Sequence, residues 1–159
     1  FSRQCGVDSP LLDAVESINK DQLLNIIEII RKKLGTVKGK TITVFGLAFK
    51  PDTDDVRDSV SIKMIELLLK NKASIIAHDP KAIKNAQIIF GSQIKYTESI
   101  KEALTGSSCA IIMTAWKQYE KLTDIDFKYM KRSIIIDSRR ILSNKKLKSK
   151  YYAIGIGNN

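Results

Sequence analysis

A chain of 159 residues, 43% apolar and 28% charged, can close one hydrophobic core and carry an appended element besides. That balance excludes a disordered or low-complexity chain, and no apolar run approaches the roughly 20 residues a membrane helix needs. The formal charge of +10 points to anionic partners and is silent about fold.

Ser9 ahead of Pro10 predicts a helix start, a hydroxyl cap followed by proline at the position where its missing N–H costs nothing. The helix extends to Leu34 and stops at Gly35. Leu23, Leu24, Ile26, Ile27, Ile29 and Ile30 make its second half apolar over more than one stripe, so it needs cover from its own domain, a partner subunit or both. Gly35–Gly39 reads as a short basic linker, dividing the chain into a helical segment, 1–35, and a second unit, 36–159. In that unit a buried strand (Ile42, Val44, Phe45) leads into a long turn cornered at Gly46. A helix capped by Asp58 or Ser59 follows, with Ile62, Ile65, Leu68 and Leu69 on one side. The next segments are a strand at Ser74–His78, a short helix at Lys81–Ala86, a strand at Gln93–Tyr96 and a helix at Glu98–Leu104. A buried strand at Cys109–Thr114, a weak helix at Asp124–Met130 and a buried strand at Ser133–Asp137 come next. Asn144–Lys148 reads as a polar turn or helix before Tyr152–Gly155. Strands alternating with helices imply crossovers. The fold class is α/β, a Rossmann-like doubly wound parallel sheet preceded by a long α-helix.

Such sheets hold ligands beyond the carboxyl ends of their strands, near the point where strand order reverses. The candidates are therefore Phe49, Lys50 and Arg57 after the first strand, Asp79 after the second, Thr114 and Trp116 after the buried run, and Asp137 to Arg140 after the last. The first turn lacks a glycine-rich fingerprint, and Lys50 and Arg57 supply charge where a dinucleotide fold would supply bare backbone. Lys50 is either solvated or an anion contact. Arg57 either pairs with Asp54, Asp55 or Asp58, or turns its guanidinium fork to a pyrophosphate. Asp52, Asp54 and Asp55 read as turn and cap residues. Asp79 is either a ribose ligand or a cap before Pro80, and it lies further from Gly46 than the ~20 residues of the dinucleotide pattern. Trp116 either packs in the core or stacks on a base. The role of Arg140 is open. His78, the only histidine, reads as structural, and no metal-ligand spacing is present. Cys109 belongs to the core. The basic run from Lys128 to Lys150 reads as a solvated face or an anion surface, with no nucleic-acid motif beside it.

The run Gly46-Leu47-Ala48-Phe49-Lys50-Pro51-Asp52-Thr53-Asp54-Asp55-Val56-Arg57-Asp58-Ser59 resembles the signature turn that opens the C-terminal domain of the UDP-glucose/GDP-mannose dehydrogenase family. Thr114-Ala115-Trp116 resembles that family's Thr-x-Trp landmark, and Asp137-Ser138-Arg139 its Asp-Gly-Arg landmark, with serine for glycine. The resemblance implies that Phe49, Lys50 and Arg139 bind a UDP-sugar and that Arg57 reaches the NAD phosphates from across a domain boundary. It implies that the N-terminal helix ends a central helical domain that makes a homodimer. The catalytic cysteine and lysine, and the main NAD-binding domain, would lie upstream. Cys5 lacks the Ser-Cys-Phe-Pro-type setting of the nucleophile, so no catalytic residue is assigned and the chain alone is expected to be inactive. For a complete enzyme the implied reaction is a two-step oxidation of a sugar alcohol to a carboxylate with two NAD+. The AFKPDTDDVR wording leans to the UDP-glucose branch. UDP-N-acetylmannosamine and GDP-mannose branches, and a free-standing nucleotide module without redox activity, stay open. A cytoplasmic setting, without membrane or nucleic acid as partner, is expected.

Overall fold

The computed structural model describes residues 10–154. A long helix, α1 (Pro10–Leu34), precedes β1 (Thr41–Phe45), α2 (Val60–Lys70), β2 (Ser74–His78), α3 (Ile83–Phe90) and β3 (Lys95–Tyr96). The second half runs α4 (Ile100–Leu104), β4 (Cys109–Ile112), α5 (Asp124–Phe127), β5 (Ile134–Asp137) and β6 (Lys150–Ala153). The expected Ser9 cap and Cys5 lie outside the described residues.

The six strands lie in the order β3-β2-β1-β4-β5-β6, all parallel. Their registers align the carboxyl ends, with Phe45 opposite both His78 and Ile112, and Ile112 opposite Asp137. After β3 the chain crosses to the far side of β1, so the β1/β4 border is the switch point where such sheets bind ligands. Central strands are covered on both faces and read as unbroken apolar runs. Every residue of β4 and β5 is buried, whereas β6, at the edge, is only half-buried.

Two elements differ most from the sequence expectation, while α5 ends at Phe127 instead of Met130 and β3 begins at Lys95 instead of Gln93. α3 starts later and runs to Phe90, because Asp79 holds the chain at Lys81 and Ala82 before the helix can begin. Lys150–Ala153 is a sixth strand, hidden in the sequence by the basic run that enters it.

The broad apolar surface of α1 is divided. Leu23, Ile26, Ile27, Ile30 and Leu34 are buried in the same core as the sheet, while Leu24 is 49% and Ile18 56% exposed. Its own domain covers one face only. Cys109 is fully buried, and burial pushes its thiol far above the ordinary range, so it is inert core.

His78 is buried at the end of β2, with Phe45 and Tyr119 packed around it. Its Nε2 lies 3.1 Å from the Glu98 carbonyl, which can only accept, so Nε2 carries the proton and Nδ1 is an acceptor, 2.8 Å from the Tyr119 hydroxyl, whose one proton also reaches the His78 carbonyl at 3.0 Å. Burial lowers the pKa of this ring from its ordinary 6.5. The unfolded chain therefore binds a proton that the folded chain resists, and stability is lost as pH falls through 6.5 toward the folded value. Urea unfolding of the native chain should show a midpoint that declines between pH 7.5 and 5.5, with a weaker decline in His78→Gln. Equal slopes in both would remove His78 as the cause.

Candidate functional site

The rim of the switch point is built on the turn after β1. Gly46 takes φ +90°, and a Cβ there would stand 2.5 Å from Thr114 Cβ and 2.7 Å from Thr114 N, so only glycine lets β1 and the end of β4 approach this closely. The Thr114 hydroxyl then donates to the Ala48 carbonyl at 2.7 Å. Ser59 donates its hydroxyl to the Leu47 carbonyl at 2.7 Å and accepts from Ser61 N–H, capping α2 and closing the turn at once.

The turn's free N–H groups are taken by a side chain. Asp79 Oδ2 accepts from Leu47 N (2.7 Å), Ala48 N (3.2 Å) and Trp116 Nε1 (3.1 Å), and Oδ1 accepts from Lys81 N and Ala82 N, each at 2.8 Å. In a dinucleotide fold those turn N–H groups face a pyrophosphate. Here they are filled from within, so this turn does not fit an NAD pyrophosphate. Asp79 is thus the cap of the two readings its sequence allowed, and Trp116 is core with its N–H satisfied.

Beyond this anchored base the turn is enlarged and open. Phe49 N–H donates to the Asp55 carbonyl at 2.8 Å, Lys81 Nζ to the Asp52 carbonyl at 3.2 Å and Asn85 Nδ2 to the Asp54 carbonyl at 2.8 Å. Phe49 is 52% exposed, and Lys50 beside it is exposed with no hydrogen-bond partner among the described residues. Arg57 is engaged by Asp55, Nε to Oδ1 at 3.0 Å and Nη2 to Oδ2 at 2.8 Å. These bonds hold the Asp55 carboxyl down at about 2.

On the other side of the switch point, Arg139 follows β5. Its Nε–H donates to the Met113 carbonyl at 2.6 Å, which fixes the guanidinium at the end of β4, and its amino ends find no acceptor among the described residues. Asp137, fully buried, shapes this loop: Oδ1 accepts from Arg139 N, and Oδ2 from Leu142 N and the Tyr151 hydroxyl. Ser138, where the family pattern has glycine, donates to the Ile112 carbonyl at 2.7 Å, and the left-handed conformation falls instead on Arg140, at φ +58°. A cavity of about 490 Å³ opens elsewhere on the rim, between Asp52–Asp54 and the Pro80–Lys84 segment, with Glu98. Phe49, Lys50, Arg57 and Arg139 stand outside it.

The profile of the UDP-glucose/GDP-mannose dehydrogenase family, UDP binding domain, matches residues 43–144. The UDP-glucose 6-dehydrogenase TuaD of Bacillus subtilis is 32% identical over 159 residues, 98% of this chain and 34% of that protein. The UDP-glucose 6-dehydrogenase AglM of Haloferax volcanii is 35% identical over 144 residues, 91% of this chain and 33% of that protein. The chain belongs to the UDP-glucose/GDP-mannose dehydrogenase family. A UDP-glucose dehydrogenase from the archaeon Pyrobaculum islandicum superposes with a TM-score of 0.81 at 31% identity, covering 96% of this chain and 34% of that one. The chain thus spans about one third of the length of the dehydrogenases it matches. Within this dehydrogenase family the matched part is the UDP binding domain.

Sequence reasoning placed Thr114, Trp116, Asp79 and the first turn at the same rim. It missed that they bond to one another, and it missed Tyr119 and the loop-forming role of Asp137. An aspartate closing a buried strand before Pro80 was the available signal, since its carboxylate reaches N–H groups two and three residues on. Asp79→Asn replaces one of two fully used acceptors with a donor, and should cost about 2–4 kcal/mol. Trp116, the sole tryptophan, reports this in urea unfolding by fluorescence. Gly46→Ala should cost a similar amount, about 2–4 kcal/mol, from strain at positive φ and collision with Thr114. A loss below 1 kcal/mol in both would mean the rim relaxes freely.

Proposed function

We propose that this chain is the C-terminal UDP-binding part of an NAD-dependent UDP-glucose 6-dehydrogenase, which oxidises UDP-glucose to UDP-glucuronate while two NAD+ are reduced. The observation that supports it is the ledge at the switch point: an exposed aromatic, Phe49, and a free cation, Lys50, on a turn anchored from beneath, with Arg139 fixed across the border by Met113. Lys50 and the amino ends of Arg139 meet the diphosphate of UDP by charge-assisted hydrogen bonds, and Phe49 lies against the substrate. Arg57, held by Asp55 and exposed, reaches toward the phosphates of NAD bound by an upstream domain. The catalytic cysteine and lysine belong to that upstream region, which leaves this chain inactive alone. The open face of α1, with Ile18 and Leu24, continues into a homodimer interface. The setting is cytoplasmic, in the supply of uronate units for polysaccharide. Among the described residues no helix is long and apolar enough to cross a membrane.

Calorimetry with UDP on the protein that carries this domain should show one site. Lys50→Ala and Arg139→Ala should each weaken it about ten- to a hundredfold, the worth of a hydrogen bond to a charged group. Binding that survives both changes would remove these residues from the site. In the protein that carries this domain, UDP-glucose should yield two NADH per sugar nucleotide. Turnover of UDP-N-acetylmannosamine or GDP-mannose in its place would move the chain to another branch of the family.

A further inference from the structure

At the opposite edge of the sheet, where the strands begin, lies a second cavity of about 350 Å³. Its walls are Lys33 at the end of α1, Arg132 ahead of β5, and Lys148 and Lys150 at the entry to β6, with Ser133 and Ser149 between them. No carboxylate lines it. The acid behind this wall, Asp124, is spent on Lys148 N–H (2.8 Å), Ser149 N–H (3.0 Å) and the Ser149 hydroxyl (2.8 Å), which pull its pKa down. Among the described residues none of the four cations has an ion-pair partner.

The fold forces these charges together. β5 and β6 are parallel with Ile134 opposite Lys150, so Arg132 and Lys148, each two residues earlier, enter neighbouring strands about 4.8 Å apart. Lys33 is held over the Tyr152 ring at 4.4 Å to its centroid, which fixes a third ammonium on the same side. Asp124 offsets part of the Lys148 charge, the remaining cations repel one another, and an anion with several negative oxygens relieves them. The space equals roughly ten water volumes, room for two or three linked phosphates. The lining offers no aromatic face for a base, since Tyr152 is covered by Lys33.

We propose that this cavity binds a small polyphosphate, free or as the phosphate tail of a nucleotide, at a site separate from the UDP ledge. Inorganic triphosphate, titrated calorimetrically into the chain at 50 mM and 200 mM NaCl, tests it. One saturable site is expected, weaker at the higher salt. Arg132→Gln with Lys150→Gln should weaken it at least fivefold, and Lys50→Ala with Arg139→Ala less than twofold. Should the first pair fail to fold, Lys148→Gln alone should weaken it two- to threefold. ATP binding as tightly as triphosphate identifies a nucleotide tail as a competent source, and triphosphate binding far tighter than ATP the free anion. No saturable site at 50 mM salt, several equivalents bound, or a site insensitive to the cavity changes would overturn the proposal. So would a single-stranded RNA 20-mer bound tenfold more tightly than triphosphate.

Discussion

The Asp79 carboxylate accepts five hydrogen bonds, from the backbone of Leu47, Ala48, Lys81 and Ala82 and from the indole of Trp116. Those donors belong to the loops after β1, β2 and β4, so one buried group joins three strand ends. The buried donors among them, Leu47, Ala48 and Ala82 N–H and the Trp116 indole, would otherwise lack an acceptor, at about 1–3 kcal/mol apiece. The arrangement also limits what the first turn can do. A turn whose N–H groups already face a carboxylate has no bare backbone to offer a phosphate, so any anion grip must come from side chains carried further out. That is where the enlarged turn places Phe49 and Lys50.

Asp137 repeats the device on the other side of the switch point. A buried carboxylate at the end of β5 collects the backbone of Arg139 and Leu142 and the hydroxyl of Tyr151 from β6. The loop it shapes carries Arg139, whose Nε is pinned to the Met113 carbonyl. Both cations of the ledge therefore stand on loops whose bases are fixed by strand-end aspartates. Their positions are set by the sheet's parallel register, which aligns Phe45, Ile112 and Asp137. The backbone that carries both cations is thus ordered before any ligand arrives.

The architecture was legible because its signals are local and repeated. Pure apolar runs such as Cys109–Ile112 and Ile134–Asp137 mark covered parallel strands, and Ser59 marks a helix start. The residues of the rim were legible too, because an open parallel sheet directs function to strand ends. The pairing among those residues was not. That Asp79 meets Leu47, 32 residues earlier, and Trp116, 37 later, follows from strand order, which no local pattern encodes. β6 was obscured for a different reason: an edge strand needs only one apolar face, and its entry is crowded with lysines whose spacing serves the surface. The division of α1 into a covered and an open face likewise follows from what α2 and the sheet occupy.

An acidic turn as the proposed grip on an anion looks contradictory, since Asp52, Asp54 and Asp55 closely follow Lys50 in sequence. The structure resolves this by sorting the carboxylates. Asp55 is neutralised by the Arg57 fork, Asp52 and Asp54 line the cavity on the β2 side, and Asp79 and Asp137 are buried against donors of their own. Lys50, which feels Asp55 only through its field, and the amino ends of Arg139 are the charges on the ledge that no hydrogen bond or ion pair holds among the described residues. Exposed single charges attract weakly in water, where two at contact distance are worth about 1 kcal/mol. Such a ledge grips firmly only when something closes over it and lowers the local dielectric. Lys50 and Arg139 stand exposed on an open face, in a chain that spans about one third of its relatives' length.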